Sequence, residues 1–531
     1  MLSSPHLNFP RRPAPRIPRL VPGLVLMLML WGVAACGGGS GTSALERLHA
    51  CSSADGPTDA YCGTLTVFED RAAKAGRKIS LWIVVLPAVR PVARDPLVFL
   101  AGGPGQGAAQ LARQIRAAFR DVQRTRDIVL VDQRGTGKSN PLNCRSDANS
   151  LREMTEPSVS SLDRLKRCLA GYNADVRLYT TNIAMDDLDE VREYLGYDRI
   201  NVYGGSYGTR AALVYLRRHS ERVRTMILDG VAPMDMRLPM FTARDAQRAL
   251  DKLLVDCHAD AACKRAFPEL PARIRTLLQR LEQSPPTVRI VHPRTGVAED
   301  VRVEARVVAT ILFSALYSPL TGSIVPALVD HAEHNEFQSF FALGLAGEGT
   351  GENMSVGMQL SVLCSEDAAR VTPADVQQAA AGTLFGTHLL SGQLEACAIW
   401  PRGVVDASYY EPVVSDVPAL VLSGDLDPVT PPEWGESVVK TLKNGRHITV
   451  PGTGHGVMGT MCGQQLIRDF LDDASAAALD VSCVRSIKRP PFFVTPAGPD
   501  PAHATSSGPS PGPSPLPGPG QSPATSAGQV P

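Results

Sequence analysis

Asn201-Val202-Tyr203-Gly204-Gly205-Ser206-Tyr207-Gly208-Thr209 is the stretch on which the fold turns. Residues 199–203 have the composition of a short strand, and residues 209–218 carry Ala212, Leu213 and Leu216 at helical spacing. The G-x-S-x-G match centred on Ser206 therefore falls at a strand-to-helix junction. Flanking glycines relieve crowding there, and a serine hydroxyl can project from the edge of a sheet. A Gly-rich turn with a solvated serine is the alternative, and the surrounding chain has to decide.

Strand-like segments recur on both sides of this turn. Residues 63–68 and 79–85, separated by a polar stretch at 71–78, read as an antiparallel hairpin. Residues 96–100 and 127–131 are continuous apolar runs with a helical stretch around 108–122 between them, as buried parallel strands are. A helix over 183–195 precedes the Ser206 strand, and residues 224–228, 418–422 and 447–450 continue the alternation before a last helix at 464–471. The pattern predicts an α/β fold with a mostly parallel eight-stranded sheet behind an N-terminal antiparallel hairpin. Between residues 234 and 414 helices at 243–254, 270–281, 305–316 and 324–334 replace the alternation, which reads as an inserted helical cap. The core then comprises residues 51–233 and 415–489.

Both ends of the chain differ from this core. Arg11, Arg12, Arg16 and Arg19 precede a short apolar run, and Val33-Ala34-Ala35-Cys36 places small residues before a cysteine. This reads as a signal peptide over 1–35 of the lipoprotein type, with Cys36 lipidated and residues 36–50 as a tether; a plain signal peptide cut near Ala35 is the alternative. Residues 490–531 are rich in Pro, Gly and Ser and are expected to be disordered. The 53 Lys and Arg balance the 53 Asp and Glu, so no global field recommends nucleic acid as a partner; the membrane enters only through the lipid.

Eleven cysteines, less Cys36, leave an even number in an exported chain. Sequential neighbours would close short loops, giving Cys51 with Cys62, Cys144 with Cys168, Cys257 with Cys263, Cys364 with Cys397 and Cys462 with Cys483. No cysteine pair has C-x-x-C spacing and the histidines do not cluster beside the cysteines, so no metal site is expected.

A serine hydroxyl becomes a nucleophile only when a base takes its proton and a carboxylate orients that base. Two loops supply these groups in the order serine, acid, histidine. Gly424-Asp425-Leu426-Asp427-Pro428 follows one strand and Gly454-His455-Gly456 follows the next, both on the carboxyl edge shared with Ser206. Asp427 is preferred to Asp425 because it precedes Pro428 and a helix start, although both could merely cap that helix. The loop Ala101-Gly102-Gly103-Pro104-Gly105 after residues 97–100 exposes backbone N–H groups, so Gly103 and Tyr207 are the expected oxyanion donors. Gly135-Thr136-Gly137-Lys138-Ser139 superficially suggests a phosphate loop, but Asp132 stands where that template needs glycine. Arg134 is read as bracing the floor of the site, and no cofactor is implied.

Gly-Gly-Pro-Gly at 102–105, Asp-Gln-Arg-Gly-Thr-Gly at 132–137, Gly-Gly-Ser-Tyr-Gly-Thr at 204–209, Gly-x-x-Asp-Pro-Val-Thr-Pro at 424–431 and Gly-His-Gly at 454–456 resemble the proline iminopeptidase and tripeptidyl aminopeptidase family of α/β-hydrolases. The resemblance spans roughly residues 50–485. It implies a serine exopeptidase acting on peptide N-termini, with Ser206, Asp427 and His455 as the triad, Gly103 and Tyr207 as oxyanion donors, and a cap that limits access. Ala101 departs from the histidine usual in proline iminopeptidases and lies closer to the tripeptidyl side. In such enzymes cap carboxylates bind the free amine of the substrate; Glu366 is the candidate here, and a helix start at 365–367 is the equal alternative. The reading is an exported serine aminopeptidase with a peptide substrate. A carboxylic-ester hydrolase on the same fold and a non-catalytic, surface-anchored binding protein are its rivals.

Overall fold

The structure is a computed structural model that describes residues 44–144, 151, 158–348, 354–495 and 498–500. The expected signal segment, Cys36, most of the tether and most of the Pro-rich tail lie outside the described residues. The core is built on β1 (His49–Ala50), β2 (Tyr61–Phe68), β3 (Lys78–Leu86), β4 (Leu97–Leu100), β5 (Ile128–Val131), β6 (Ile200–Gly205), β7 (Val223–Asp229), β10 (Ala419–Gly424) and β11 (Gly445–Val450); β8 (Thr287–Val291) and β9 (Ala298–Arg302) form a separate hairpin. The large sheet runs β1-β2-β3-β5-β4-β6-β7-β10-β11. Pairs from β1 to β5 are antiparallel, and those from β5 through β11 are parallel. This is the α/β-hydrolase arrangement expected, with nine strands in place of eight. The additional strand, His49–Ala50, is too short to show any periodicity.

The period-2 geometry of a strand explains why both faces are apolar. Ile83, Val85, Val98, Leu100, Val129, Val131, Val202 and Val421 point to one face, where helices Thr181–Leu195 and Tyr207–Arg218 pack. Val84, Leu86, Leu97, Phe99, Ile128, Leu130, Tyr203 and Leu422 point to the other, against Ile115, Phe119 and Val122 and the helix Met461–Asp473. A layered sheet of this kind offers its strand ends as the one place where loops from several strands converge.

Helices Thr242–Ala259, Leu270–Gln283, Ala305–Leu316 and Val325–Glu333 form the inserted segment and enclose an apolar core of their own. The hairpin β8-β9 was not anticipated there. Its Thr-Val-Arg-Ile-Val sequence alternates, but its residues are mostly exposed, so it carries little of the burial signal that marks a core strand. Phe492, beyond the last helix, is buried in this inserted core, and Phe493 N donates to Ser323 O at 3.1 Å. The chain after β11 thus straps the cap to the sheet.

The five disulfides join sequence neighbours as expected: Cys51–Cys62, Cys144–Cys168, Cys257–Cys263, Cys364–Cys397 and Cys462–Cys483. Closing loops of 6 to 33 residues removes unfolded-state entropy, typically about 2–4 kcal/mol per bond. Such a set suits an oxidising compartment. Among the described residues no helix is long and apolar enough to cross a membrane.

Candidate active site

Ser206, Asp427 and His455 lie just beyond the carboxyl ends of β6, β10 and β11, which share one edge of the sheet. Ser206 has φ 56° and ψ −127°, a conformation that costs a non-glycine residue about 1–3 kcal/mol. The turn imposes it. A Cβ on Gly204 would collide with Gly208 O, and one on Gly208 would collide with Leu100 O, so only glycines let the helix Tyr207–Arg218 start this close to β4 and β6. The strained geometry is then locked by Ser206 N donating to Asp229 O at 2.9 Å and by Thr209, whose N–H and hydroxyl both reach Ser206 O.

Asp427 is wholly buried. Its Oδ1 accepts from Val429 N at 2.8 Å and Thr430 N at 2.9 Å, and its Oδ2 accepts from Thr430 Oγ1 and His455 Nδ1, both at 2.8 Å. Burial works against the charged carboxylate, but the His455 charge and hydrogen bond together with those two amides hold its pKa below the ordinary value. His455 shows the complementary shift. Desolvation disfavours the imidazolium, yet the Asp427 charge and hydrogen bond, with Asp229 behind them, raise its pKa above the ordinary value. Asp425 is turned elsewhere: its carboxylate lies 3.3 Å from Lys252 Nζ in the cap.

The cap also grips the histidine loop. His455 N donates to Tyr317 O at 2.8 Å, and the Tyr317 ring meets the imidazole edge-on with centroids 5.2 Å apart. Gly454 is glycine because a Cβ there would strike the same Tyr317 carbonyl. Thr430 Oγ1 lies 3.2 Å from His455 Nδ1, which places a hydroxyl between acid and base.

Tyr207 is the first residue of its helix, so its N–H lacks an intrahelical partner and points toward the turn. The Gly103 loop runs alongside: a Cβ on Gly102 would lie 3.1 Å from Ser206 Cβ. Gly103 itself has φ 111°. A short bridge between Gln106 and Met354 and the bond from Ser355 N to Gly105 O at 2.9 Å pair this loop with the cap. A serine at a strand-to-helix turn, a glycine-rich loop beside it and an imidazole hydrogen-bonded to a buried carboxylate are parts that acyl transfer uses.

Glu366, the candidate amine counter-charge, is engaged by protein donors. It is buried in a single π-helical turn, Leu363–Asp367, and its carboxylate accepts from Thr181 N at 2.7 Å, Thr181 Oγ1 at 2.9 Å and the Tyr409 hydroxyl. Thr181 Oγ1 in turn lies 2.7 Å from Tyr207 OH, and Arg210 from the elbow helix pairs with Asp367 at 2.7 Å. The segment therefore fastens the cap to the elbow helix. Both carboxylates are occupied by protein donors.

Arg134 is fully buried and forks onto Asp187 at 2.6 and 2.9 Å while also bonding Glu69 O and Leu178 O. It joins the end of β2 to the helix Thr181–Leu195. Asp132 accepts from Ala109 N and Lys138 N, with burial pushing its pKa up to about 6. Lys138 itself turns to Asp55 at 2.9 Å and to the Trp82 ring. Among the described residues no cluster of three or more His, Cys, Asp or Glu converges in a metal-binding arrangement.

Thr430, Tyr317 and Asp229 belong to this surround and were not singled out from the sequence. Asp229 ends a strand on the catalytic edge, which is a usable signal. Thr430 follows Asp427 at the spacing of a local side-chain turn. Tyr317 is brought in by the cap, and no sequence pattern announces it.

A family model described as alpha/beta hydrolase fold matches residues 95–256, and one described as TAP-like protein matches residues 382–483. The chain is 27% identical over 463 residues to the serine protease Hip1 of Mycobacterium tuberculosis, spanning 80% of this chain and 88% of that protein. It is 34% identical over 137 residues to the proline iminopeptidase of Neisseria gonorrhoeae, spanning 26% and 32%. A solved proline iminopeptidase from Mycobacterium smegmatis aligns with a TM-score of 0.40 at 16% identity, covering 78% of this chain and 98% of that one.

Proposed function

We infer, from a chain that belongs to the α/β-hydrolases and is a serine peptidase of that type, that it is an exported aminopeptidase releasing N-terminal units from peptides through an acyl-enzyme. In this reading Ser206 Oγ attacks the scissile carbonyl while His455 takes its proton. The tetrahedral oxyanion is received by Gly103 N–H and Tyr207 N–H. His455 then protonates the leaving amine, and water enters by the reverse sequence to free the acyl product. Asp427 keeps the proton on Nδ1, so that Nε2 is the basic nitrogen, and stabilises the imidazolium as it forms. The observation that carries the reading is the 2.8 Å contact between buried Asp427 and His455 on the strand edge where Ser206 is held at positive φ.

The arginine-rich leader and the small residues before Cys36 support export with a lipid on that cysteine, and the disulfides are compatible with it. Cys36→Ser should then move the protein from the membrane fraction to the soluble one.

The carboxylate of Glu366 is engaged by Thr181, and this favours one second reading, a carboxylic-ester hydrolase, which the same triad serves without a bound amine. Chromogenic substrates with free and blocked N-termini separate the two. An aminopeptidase loses kcat/KM when its substrate is blocked; equal rates on blocked and free substrates would replace it with the esterase.

A further inference from the structure

We propose that Asp229 is a positioning residue for His455, tying the histidine loop to the nucleophile strand and supplying a second negative charge behind the imidazole. The inference rests on the Ser206–His455 reading and extends it to a residue outside the triad.

Asp229 is the last residue of β7 and is only 1% exposed. Its main-chain oxygen receives Ser206 N–H at 2.9 Å, so its backbone braces the nucleophile. Its carboxylate serves the other partner. Val457 N donates to both oxygens, at 2.8 and 3.0 Å, and Met458 N donates to Oδ2 at 2.8 Å. These are the second and third amides after His455, on the opposite flank from the bond His455 N makes to Tyr317 O. The loop is therefore pinned on one side by the cap and on the other by β7. Tyr203, three residues before Ser206 on β6, donates its hydroxyl to the same Oδ2 at 2.7 Å. One side chain thus connects the strand that carries the serine with the loop that carries the histidine.

The charge has a purpose beyond the tether. Burying a carboxylate is costly unless donors and an opposite charge offset it. Among the described residues no Lys or Arg forms an ion pair with Asp229, and its donors are two amides and a phenol. Burial pushes the Asp229 pKa above the ordinary value, its amide and phenol donors work against that rise, and the opposite charge that acts on it is the imidazolium of His455, with attraction in both directions. The titratable groups facing His455 are Asp427 from the loop after β10, Asp229 from β7 and Tyr317 from the cap; Thr430 adds an uncharged hydroxyl. A proton arriving on His455 therefore meets two carboxylates. Asp427 acts through a hydrogen bond, and Asp229 acts through space and through the loop.

Asp229→Asn preserves the shape and removes the charge. The expected result is a fall in kcat of about tenfold or more with KM within about twofold, and an acid limb of kcat/KM displaced to lower pH by about half a unit. A folded variant with wild-type kcat and an unmoved acid limb overturns the proposal. So does a variant that loses kcat and thermal midpoint while its acid limb stays in place, because that is the mark of a purely structural carboxylate. Should Asp229→Asn fail to fold, the His455 resonance is titrated by NMR in full-length Asp427→Asn, with Asp229 intact. A pKa at or above that of free imidazole, despite burial, upholds the Asp229 contribution, and one well below it overturns it. Ser206→Ala and His455→Ala serve as controls. Turnover surviving in either one removes the underlying reading, whereas turnover lost in both with Asp229→Asn behaving as wild type removes only the role of Asp229.

Discussion

Asp427 Oδ2 lies 2.8 Å from His455 Nδ1, while Asp425, two residues earlier, lies 3.3 Å from Lys252 Nζ in the cap. The two aspartates leave the same strand and face different partners. Asp427→Asn should therefore lower kcat by about 10³–10⁴-fold, through the wrong imidazole tautomer and an unbalanced imidazolium. Asp425→Asn gives up a partly exposed ion pair of about 1 kcal/mol at most and should leave kcat nearly unchanged. Steady-state kinetics of both variants checks this, and the reverse ranking would reassign the acid.

The same pair sets the pH dependence. His455 must be neutral to accept the serine proton, and its pKa is raised by Asp427 and Asp229 against the effect of burial. The acid limb of kcat/KM should accordingly lie above the ordinary histidine value of about 6.5, with activity rising as pH increases through it. Asp427, held below its ordinary value, stays ionised across that range. A limb well below pH 6 would mean that His455 is not the titrating base.

Glu366→Gln distinguishes fastening from substrate binding. The glutamine amide would face donors from Thr181 and Tyr409, so the variant should lose about 1–3 kcal/mol of stability in denaturant. KM should change equally for free and blocked peptides. A rise in KM confined to free-amine peptides, with stability intact, would return Glu366 to the amine.

Gly454 tests the cap's hold on the histidine. A methyl group there meets the Tyr317 carbonyl, so Gly454→Ala must displace either the loop or the cap. Loss of most of kcat with near-native circular dichroism is the expected outcome. Wild-type kinetics would show that the contact does not position His455.

Much of the site could be read from the sequence because local geometry forces local residue choice. Gly204 and Gly208 flank Ser206 because no side chain fits at either position, and the apolar runs of β4 and β5 exist because both faces of those strands are covered. The order Ser206, Asp427, His455 could be read for the same reason, each following a recognisable strand. The partners of Glu366 could not, since which donors a cap carboxylate meets depends on how the cap docks, and no period encodes that. Tyr317 and the strap at Phe492 share that difficulty. The strand His49–Ala50 was missed because two residues carry no pattern.

Peptide mapping of the protein after reaction with a fluorophosphonate reads the nucleophile itself, because the probe bonds only to an activated one. One adduct is expected, on Ser206, abolished in His455→Ala and accompanied by complete loss of peptidase activity. An unlabelled protein, or an adduct on another residue while peptide hydrolysis continues, would contradict it.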